Sequence, residues 1–219
     1  MVLRLLTCRR DDLVAERTRT LSRLHVLLRD LHPGGAKREL TAADAAALLR
    51  QLRPVTATDI QRKRIARELL GDVRRLDRQV AAATTATRKA VTASGTTLTQ
   101  IYGVGPVLAA KILGHTGDVA RFPNRDHYAS YTGAAPIEAS SGDVRRHRLN
   151  RAGNRQLNCA LHVIAVCKSV TRSRAGLLPA QARRGQDPQE ARRSLKRHLS
   201  NVVYHHLTAD RRRHATPTT

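Results

Sequence analysis

Two serines and a glycine, Ser140, Ser141 and Gly142, stand directly before a run of arginines. A serine hydroxyl is a poor nucleophile at neutral pH and needs activation. Attack on a phosphodiester also requires neutralisation of the developing negative charge, which guanidinium groups provide. The arginines of this run are Arg145, Arg146, Arg148 and Arg151. The pattern indicates either a phosphoryl-transfer site or, more commonly, a loop that only binds phosphate.

A second motif places Gly103, Val104 and Gly105 between two apolar segments, and Pro106 follows. Glycine allows a tight turn, and proline is favoured in the first turn of a helix. The pattern is typical of a helix-hairpin-helix, in which amide N–H groups at the start of the second helix face a phosphate. Lys111 lies on that second helix. The alternative is a plain turn between helices.

Long helices precede these motifs. The sequence predicts helices over 3–31, 42–52 and 59–92, the second capped by Thr41 and the third by Thr56 or Thr58. The predicted stripe of the first is Leu21, Leu24, Leu28 and Leu31, and that of the third is Ile65, Leu69, Val73, Leu76, Val80 and Ala83. We expect an all-α fold, in which the long helices form either an antiparallel, coiled-coil-like arm or an ordinary bundle.

Glycines become frequent after Ser94, which indicates a domain boundary. We predict an arm over 1–93, a helical domain over 94–209 and a disordered basic tail over 210–219. Asn150 or Asn154 can cap a helix whose apolar face is Leu157, Leu161, Ile164 and Ala165. A last helix over 188–208 has an apolar side and a basic side. Candidate phosphate contacts in this part are Arg155, Arg193, Lys196 and Arg197.

The composition narrows the class of partner. A net charge of +23 favours a polyanion such as DNA or RNA. The sequence has no long uncharged apolar run, so we expect no membrane span and a cytoplasmic protein. Cys8, Cys159 and Cys167 lack the spacing of a zinc site, and the last two are expected in the core. The sparse acids between residues 95 and 186 do not predict a metal site.

In order and spacing, these motifs resemble the C-terminal domain of the insertion-sequence-110 type transposases, from Ile101 to Ser169. The segment from Leu3 to Gly34 resembles the start of that family's helical linker, and the segment from Glu190 to Tyr204 resembles its final helix. The matching features of the domain are Gly103 to Pro106, Gly117-Asp118, Arg121-Phe122, Tyr131 to Gly133, Pro136, Ser141-Gly142, the arginine run and Gly153-Asn154.

The resemblance implies a recombinase whose serine attacks DNA and forms a covalent intermediate, and that serine falls on Ser141. It also implies an N-terminal ribonuclease-H-like domain with four magnesium-binding acids, a structured noncoding RNA that selects DNA targets, and dimers or tetramers. We expect a bacterial, nucleoid-associated protein.

This sequence departs from the family pattern because it begins at the linker. We therefore expect a truncated transposase without its magnesium site, and a chain that is inactive on its own. A second departure is Leu177-Leu178, where the family carries aromatic residues. The alternative function is a non-catalytic helix-hairpin-helix module that binds DNA or RNA.

Overall fold

The computed structural model describes residues 1–32, 34–135, 137–138, 147–148, 152–174 and 188–215. Its α-helices are α1 (Val2–Leu31), α2 (Ala42–Gln51), α3 (Ala57–Ala93), α4 (Pro106–Thr116), α5 (Arg125–Tyr131), α6 (Arg155–Arg174) and α7 (Pro188–Ala215). Two 3-10 turns, Leu98–Gln100 and Val119–Arg121, flank α4. Strands β1 (Ile137–Glu138) and β2 (His147–Arg148) form one short antiparallel pair. The predicted all-α class is confirmed.

The chain divides into two compact units. The N-terminal unit comprises residues 8–86, and the C-terminal unit comprises residues 1–7 together with the chain from residue 87 onward. The first turns of α1 and the last turns of α3 therefore belong to the C-terminal unit, whereas the sequence places the division near residue 94.

Capping residues start the helices of the N-terminal unit. Thr41 and Asp44 form a reciprocal capping box at α2, in which the Asp44 N–H donates to Thr41 Oγ1 at 3.1 Å. The hydroxyl of Thr56 accepts from the Asp59 N–H at 3.1 Å where α3 begins. The predicted cap at Thr41 is confirmed, and Thr56 rather than Thr58 caps α3.

The apolar stripe of α1 is confirmed, because Leu24 and Leu28 are fully buried and Leu21 and Leu31 pack against the same core. In the N-terminal half of the predicted α3 stripe, Val73 is buried and Leu69 packs against the core, but the prediction for Ile65 is wrong. Ile65 is 39% exposed, while its neighbour Ala66 is fully buried. The buried positions of this half are Lys63, Ala66, Leu70 and Val73. Their 3,4,3 spacing is also a helical period, so the period alone does not distinguish Ile65 from Ala66.

Two polar contacts define how α1 and α3 run within the N-terminal unit. Arg10 Nε donates to Thr84 Oγ1 at 3.1 Å, and Arg17 is paired with the carboxylate of Asp77. From Arg10 to Arg17 the chain advances seven residues along α1, while their partners on α3 go back seven residues, from Thr84 to Asp77. The two helices are therefore antiparallel. Lys63, 8% exposed, donates to the Leu52 carbonyl at 2.7 Å and so closes the end of α2.

The core of the C-terminal unit is aliphatic, as expected from a sequence with 2% aromatic residues. Its largest fully buried aliphatic side chains come from α4, α6, α7 and the first 3-10 turn: Leu98, Ile112, Leu157, Leu161, Ile164, Leu199 and Val203. These include the predicted apolar faces of α6 and α7. The first turn of α1 also packs on α4, since a Cβ at Gly114 would lie 2.7 Å from the backbone nitrogen of Arg4.

Two expectations for this unit are wrong. Helix α7 continues to Ala215, whereas the sequence predicts a disordered tail from residue 210. The reason is Asp210, which is 5% exposed and hydrogen-bonded to the residues before α4, so the helix is held beyond residue 208. Cys159 is exposed rather than part of the core, because it lies on the outer side of α6. Within the described ranges, no helix is long and apolar enough to cross a membrane.

Candidate nucleic-acid interface

The turn formed by Gly103, Val104 and Gly105 is fixed against helix α6. Gly103 has φ +87°, in the region that favours glycine, and a Cβ there would lie 3.2 Å from Cys167 Cβ. Val104 is buried, and its N–H donates to the Ile101 carbonyl at 2.9 Å. The turn is therefore tight, with Val104 buried beneath it and Gly105 exposed at the surface.

Gly105 is the N-cap of α4 and has no side chain to satisfy the amides that follow. Its φ of −80° and ψ of 171° are open to any residue, and a Cβ there would meet nothing within 4 Å. Pro106 has no N–H, so the amides without an intrahelical acceptor are those of Gly105, Val107 and Leu108. Three donors at the positive end of a helix dipole suit an oxyanion.

The element before this turn is shorter than the sequence predicts. Only the 3-10 turn Leu98–Gln100 is helical, because Gly95 and Gly103, both with positive φ, confine it to seven residues. A full helix-hairpin-helix therefore remains a prediction. Lys111 is half-buried on the following helix.

Asp210 holds the start of this 3-10 turn. Its carboxylate accepts from Thr96 Oγ1 at 2.7 Å, from Thr97 Oγ1 at 2.6 Å and from the Thr97 N–H at 3.0 Å. Burial by itself raises the pKa of Asp210, but the hydrogen bonds from Thr97 and Thr96 and the nearby Arg213 outweigh it and lower that pKa. The carboxylate is thus ionised at neutral pH and orients the segment that leads into the glycine turn.

A second arrangement lies where the chain enters and leaves residues 136–151, and we call segments 131–135 and 152–158 the neck. A Cβ on Gly153 would lie 2.4 Å from Gly133 Cα, so the two backbones are in direct contact. The Asn154 N–H donates to the Tyr131 carbonyl at 2.7 Å, and Asn158 Nδ2 donates to the Gly133 carbonyl at 3.0 Å. Both ends of the intervening chain are therefore clamped together.

The neck leads into the pair β1–β2, with Ile137 opposite Arg148 and Glu138 opposite His147. The candidate nucleophile Ser141 and the candidate arginines Arg145, Arg146 and Arg151 lie outside the described residues. For Arg148 the structure gives the backbone of β2 alone. The predicted cap of α6 is Asn154, whose side chain accepts from the N–H groups of Gln156 and Leu157.

The basic candidates on α6 and α7 differ in their surroundings. Arg155 and Arg193 are exposed. Lys196 donates to Asn158 Oδ1, which ties α7 to the neck, and burial lowers the pKa of its ammonium group. Arg197 pairs with Asp126 and donates to Asn201 Oδ1 at 2.8 Å. Phosphate binding by Lys196 and Arg197 would therefore compete with these internal contacts.

Helix α6 carries both arrangements. Asn158 contacts the neck and Cys167 contacts the glycine turn, and a rise of nine residue steps places them roughly 14 Å apart along the helix axis. Sequence reasoning missed Asn158, Asp210 and the contact between Gly133 and Gly153. The signal for the last was the pair of glycines that bracket the serine and arginine segment.

The acidic side chains that the structure describes do not fit a divalent metal. In the described parts of the chain, no three His, Cys, Asp or Glu side chains are grouped to hold an ion. Asp118 and Asp126 lie near arginines, and Asp210 is held by two threonines and Arg213. No step of the chemistry proposed below passes through a metal held by these residues.

The fold and the two arrangements define a basic, mostly helical unit in which one turn has uncapped amides and the neck brings the two ends of residues 136–151 together. Residues 95–178 match the family model described as Transposase IS116/IS110/IS902 family. The chain is 35% identical over 109 residues to a Streptomyces coelicolor protein, the insertion element IS110 uncharacterized 43.6 kDa protein. This match covers 49% of the chain and about a quarter (27%) of that protein. Residues 95–178 are therefore similar to the transposase domain of this family, and the match spans about a quarter of the length of the curated relative.

The neck generates a stability prediction. Gly153→Ala should lower the free energy of unfolding by about 1–3 kcal/mol, because the new methyl group overlaps the Gly133 backbone. Gly105→Ala is the matched control: its methyl group enters open space, and we expect a change below about 0.5 kcal/mol. Denaturant unfolding followed by circular dichroism measures both. Equal, small effects for the two variants would contradict the contact.

The Asp210 network generates a pH prediction. Asp210→Asn should cost about 1–3 kcal/mol of unfolding free energy at pH 7, because it removes the charge and one acceptor oxygen from the half-buried hydrogen bonds with Thr96 and Thr97. The pKa of Asp210 is lower in the folded state, so its contribution is present above the unfolded value of about 4 and is lost as the pH falls below it.

The difference between wild type and Asp210→Asn should therefore narrow below about pH 4. Asp126→Asn, at a 65% exposed side chain, serves as control and should change stability little at any pH. A difference that stays constant from neutral to acid pH would show that the ionised carboxylate is not what stabilises this segment.

Proposed function

We propose that this chain acts in insertion-sequence transposition, where the C-terminal unit binds the DNA backbone through the glycine turn and presents Ser141 for strand cleavage. The observation that carries the proposal is the exposed N-terminus of α4 at Gly105, inside the segment that matches the transposase family. Backbone amides contact phosphates without reading sequence, which suits a unit whose target is selected by other means.

The neck supports the second half of the proposal. Because Gly133 and Gly153 are in contact, the segment that contains Ser141 begins and ends at one place, next to Asn158 and Lys196. A nucleophile must be held in a fixed geometry, and the contact of Gly133 with Gly153 fixes the two positions between which the segment with Ser141 runs. The cations that follow Ser141 in the sequence supply charge for a phosphodiester: Arg145, Arg146, Arg148, Arg151 and Arg155.

In the proposed step, Ser141 Oγ attacks phosphorus and forms a serine–phosphate ester. The bridging P–O bond of the strand breaks, and its oxygen leaves as a hydroxyl after taking a proton. The serine proton passes to solvent. The energy of the broken ester bond is retained in the protein–DNA linkage, which a second DNA hydroxyl can then attack.

Further partners are proposed on the family resemblance alone. They are a structured noncoding RNA, further copies of the chain associating through the coiled-coil-like pair of α1 and α3, and magnesium held by an acidic domain. The second candidate function is a non-catalytic DNA- or RNA-binding module. It is favoured by the exposed amides at Gly105 and the net charge of +23, which need no chemistry at Ser141.

The glycine turn predicts that one substitution raises stability and weakens DNA binding. Gly105→Asp should raise stability, because aspartate is a favoured N-cap and its charge suits the helix dipole. It should weaken duplex DNA binding at least about tenfold, because a carboxylate then lies where the phosphate would bind. Gly105→Ala should bind like wild type.

Fluorescence anisotropy with a labelled duplex at several salt concentrations measures these affinities, and thermal melting measures stability. Wild-type affinity should fall steeply with salt, as expected for phosphate contacts. If Gly105→Asp binds as tightly as Gly105→Ala, the N-terminus of α4 does not contact DNA.

The proposed nucleophile generates the prediction that separates the two functions. With magnesium, and with the family's acidic domain supplied in trans, a nicked DNA substrate should form a covalent adduct that resists denaturing electrophoresis. Ser141→Ala should abolish the adduct, since no other hydroxyl takes its place, and Ser140→Ala should retain it. An adduct that survives in Ser141→Ala would remove this residue as nucleophile. Normal DNA binding with no adduct in wild type would favour the non-catalytic module.

A further inference from the structure

The sequence has five tyrosine and phenylalanine side chains, all among the described residues, and they differ in their exposure to solvent. Four of them pack together in the C-terminal unit: Phe122 lies 5.2 Å from Tyr128 and 5.1 Å from Tyr131, and Tyr128 lies 5.7 Å from Tyr204, measured between ring centroids. Tyr102 is the fifth, and it is 57% exposed.

The position of Tyr102 is fixed by its neighbours. Ile101 before it and Val104 after it are both buried, and Gly103 is packed on Cys167. The backbone is therefore anchored on both sides of Tyr102, and the phenol ring is held at the surface of the glycine turn. A ring held in this way loses little conformational entropy when it meets a ligand, because its backbone is already ordered.

The chemistry of the turn indicates which ligand the ring would meet. The uncapped amides at the start of α4 follow Tyr102 closely along the chain, and a strand whose phosphate they bound would carry a base next to that phosphate. Aromatic side chains beside a backbone-binding surface stack on exposed bases. A base inside a duplex is already stacked above and below, whereas an unpaired base offers a face.

We propose that Tyr102 stacks on an unpaired base of the strand whose phosphate the glycine turn holds, so that the unit prefers DNA with unpaired nucleotides over a continuous duplex. This inference rests on the proposed function, because it takes the glycine turn to be the phosphate contact. It adds a substrate class: a bulge, a gap or a partly opened strand.

Two labelled probes test the proposal on the complete chain, a fully paired duplex and the same duplex with two unpaired thymines. Wild type and Tyr102→Phe should bind the second probe about tenfold more tightly, within the range that stacking of one base supplies. Tyr102→Ala should bind both probes equally, with the affinity of wild type for the paired one. Thermal melting of Tyr102→Ala shows that the variant is folded, so that a lost preference can be assigned to the missing ring.

A second readout uses the absence of tryptophan from the sequence. In Tyr102→Trp the single indole reports on its own surroundings, and the unpaired probe should quench its emission more than the paired probe. Ile60→Trp, at a 53% exposed position of α3, is the control and should show no difference between the probes.

The outcomes are distinguishable. If wild type and Tyr102→Ala show the same preference, or if neither has one while both bind DNA with a steep salt dependence, the stacking proposal is overturned and the glycine turn stands. If Gly105→Asp binds both probes as well as wild type, the glycine turn is not the phosphate contact, and both proposals fall together.

Discussion

Close backbone packing around helix α6 is the constraint on which the candidate interface depends. A Cβ at Gly103 would lie 3.2 Å from Cys167 Cβ, and one at Gly153 would lie 2.4 Å from the backbone of Gly133. The first contact places the start of α4 against one part of α6, and the second fixes the chain just before α6 begins. Because a helix is stiff, the glycine turn and the neck are held at two fixed points of α6, roughly 14 Å apart along its axis and on opposite sides of it.

The basic side chains fall into two groups: some form contacts within the protein, and others are exposed to solvent. Part of it is internal: Lys196 holds Asn158 at the neck, Arg197 pairs with Asp126, and Arg17 pairs with Asp77 on the long helices. These contacts set the orientation of helices. Other cations, such as Arg155 and Arg193, are exposed. Together with the net charge of +23, they attract a polyanion to the surface. Attraction of a polyanion and orientation of the helices therefore depend on different basic side chains.

Much of the fold follows from local signals. Leu24 and Leu28, the cap at Thr41 and the apolar face of α6 were predicted because helical period and capping chemistry act over a few residues. Ile65 was misplaced because two frames one residue apart satisfy that period. Asp210 was assigned to a disordered tail because arginines follow it, and its partners Thr96 and Thr97 are distant in sequence. The contact of Gly133 with Gly153 also joins distant residues, and its one sequence signal is the pair of glycines on either side of the serine and arginine segment.

The central claim is that the amides at the start of α4 hold a DNA phosphate, and amide chemical shifts test it most directly. In isotope-labelled protein titrated with a short duplex, the signals of Gly105, Val107 and Leu108 should shift most, and added salt should reverse the shifts. If these three signals stay in place while others move with bound DNA, the DNA is held elsewhere, and the account of this interface is wrong.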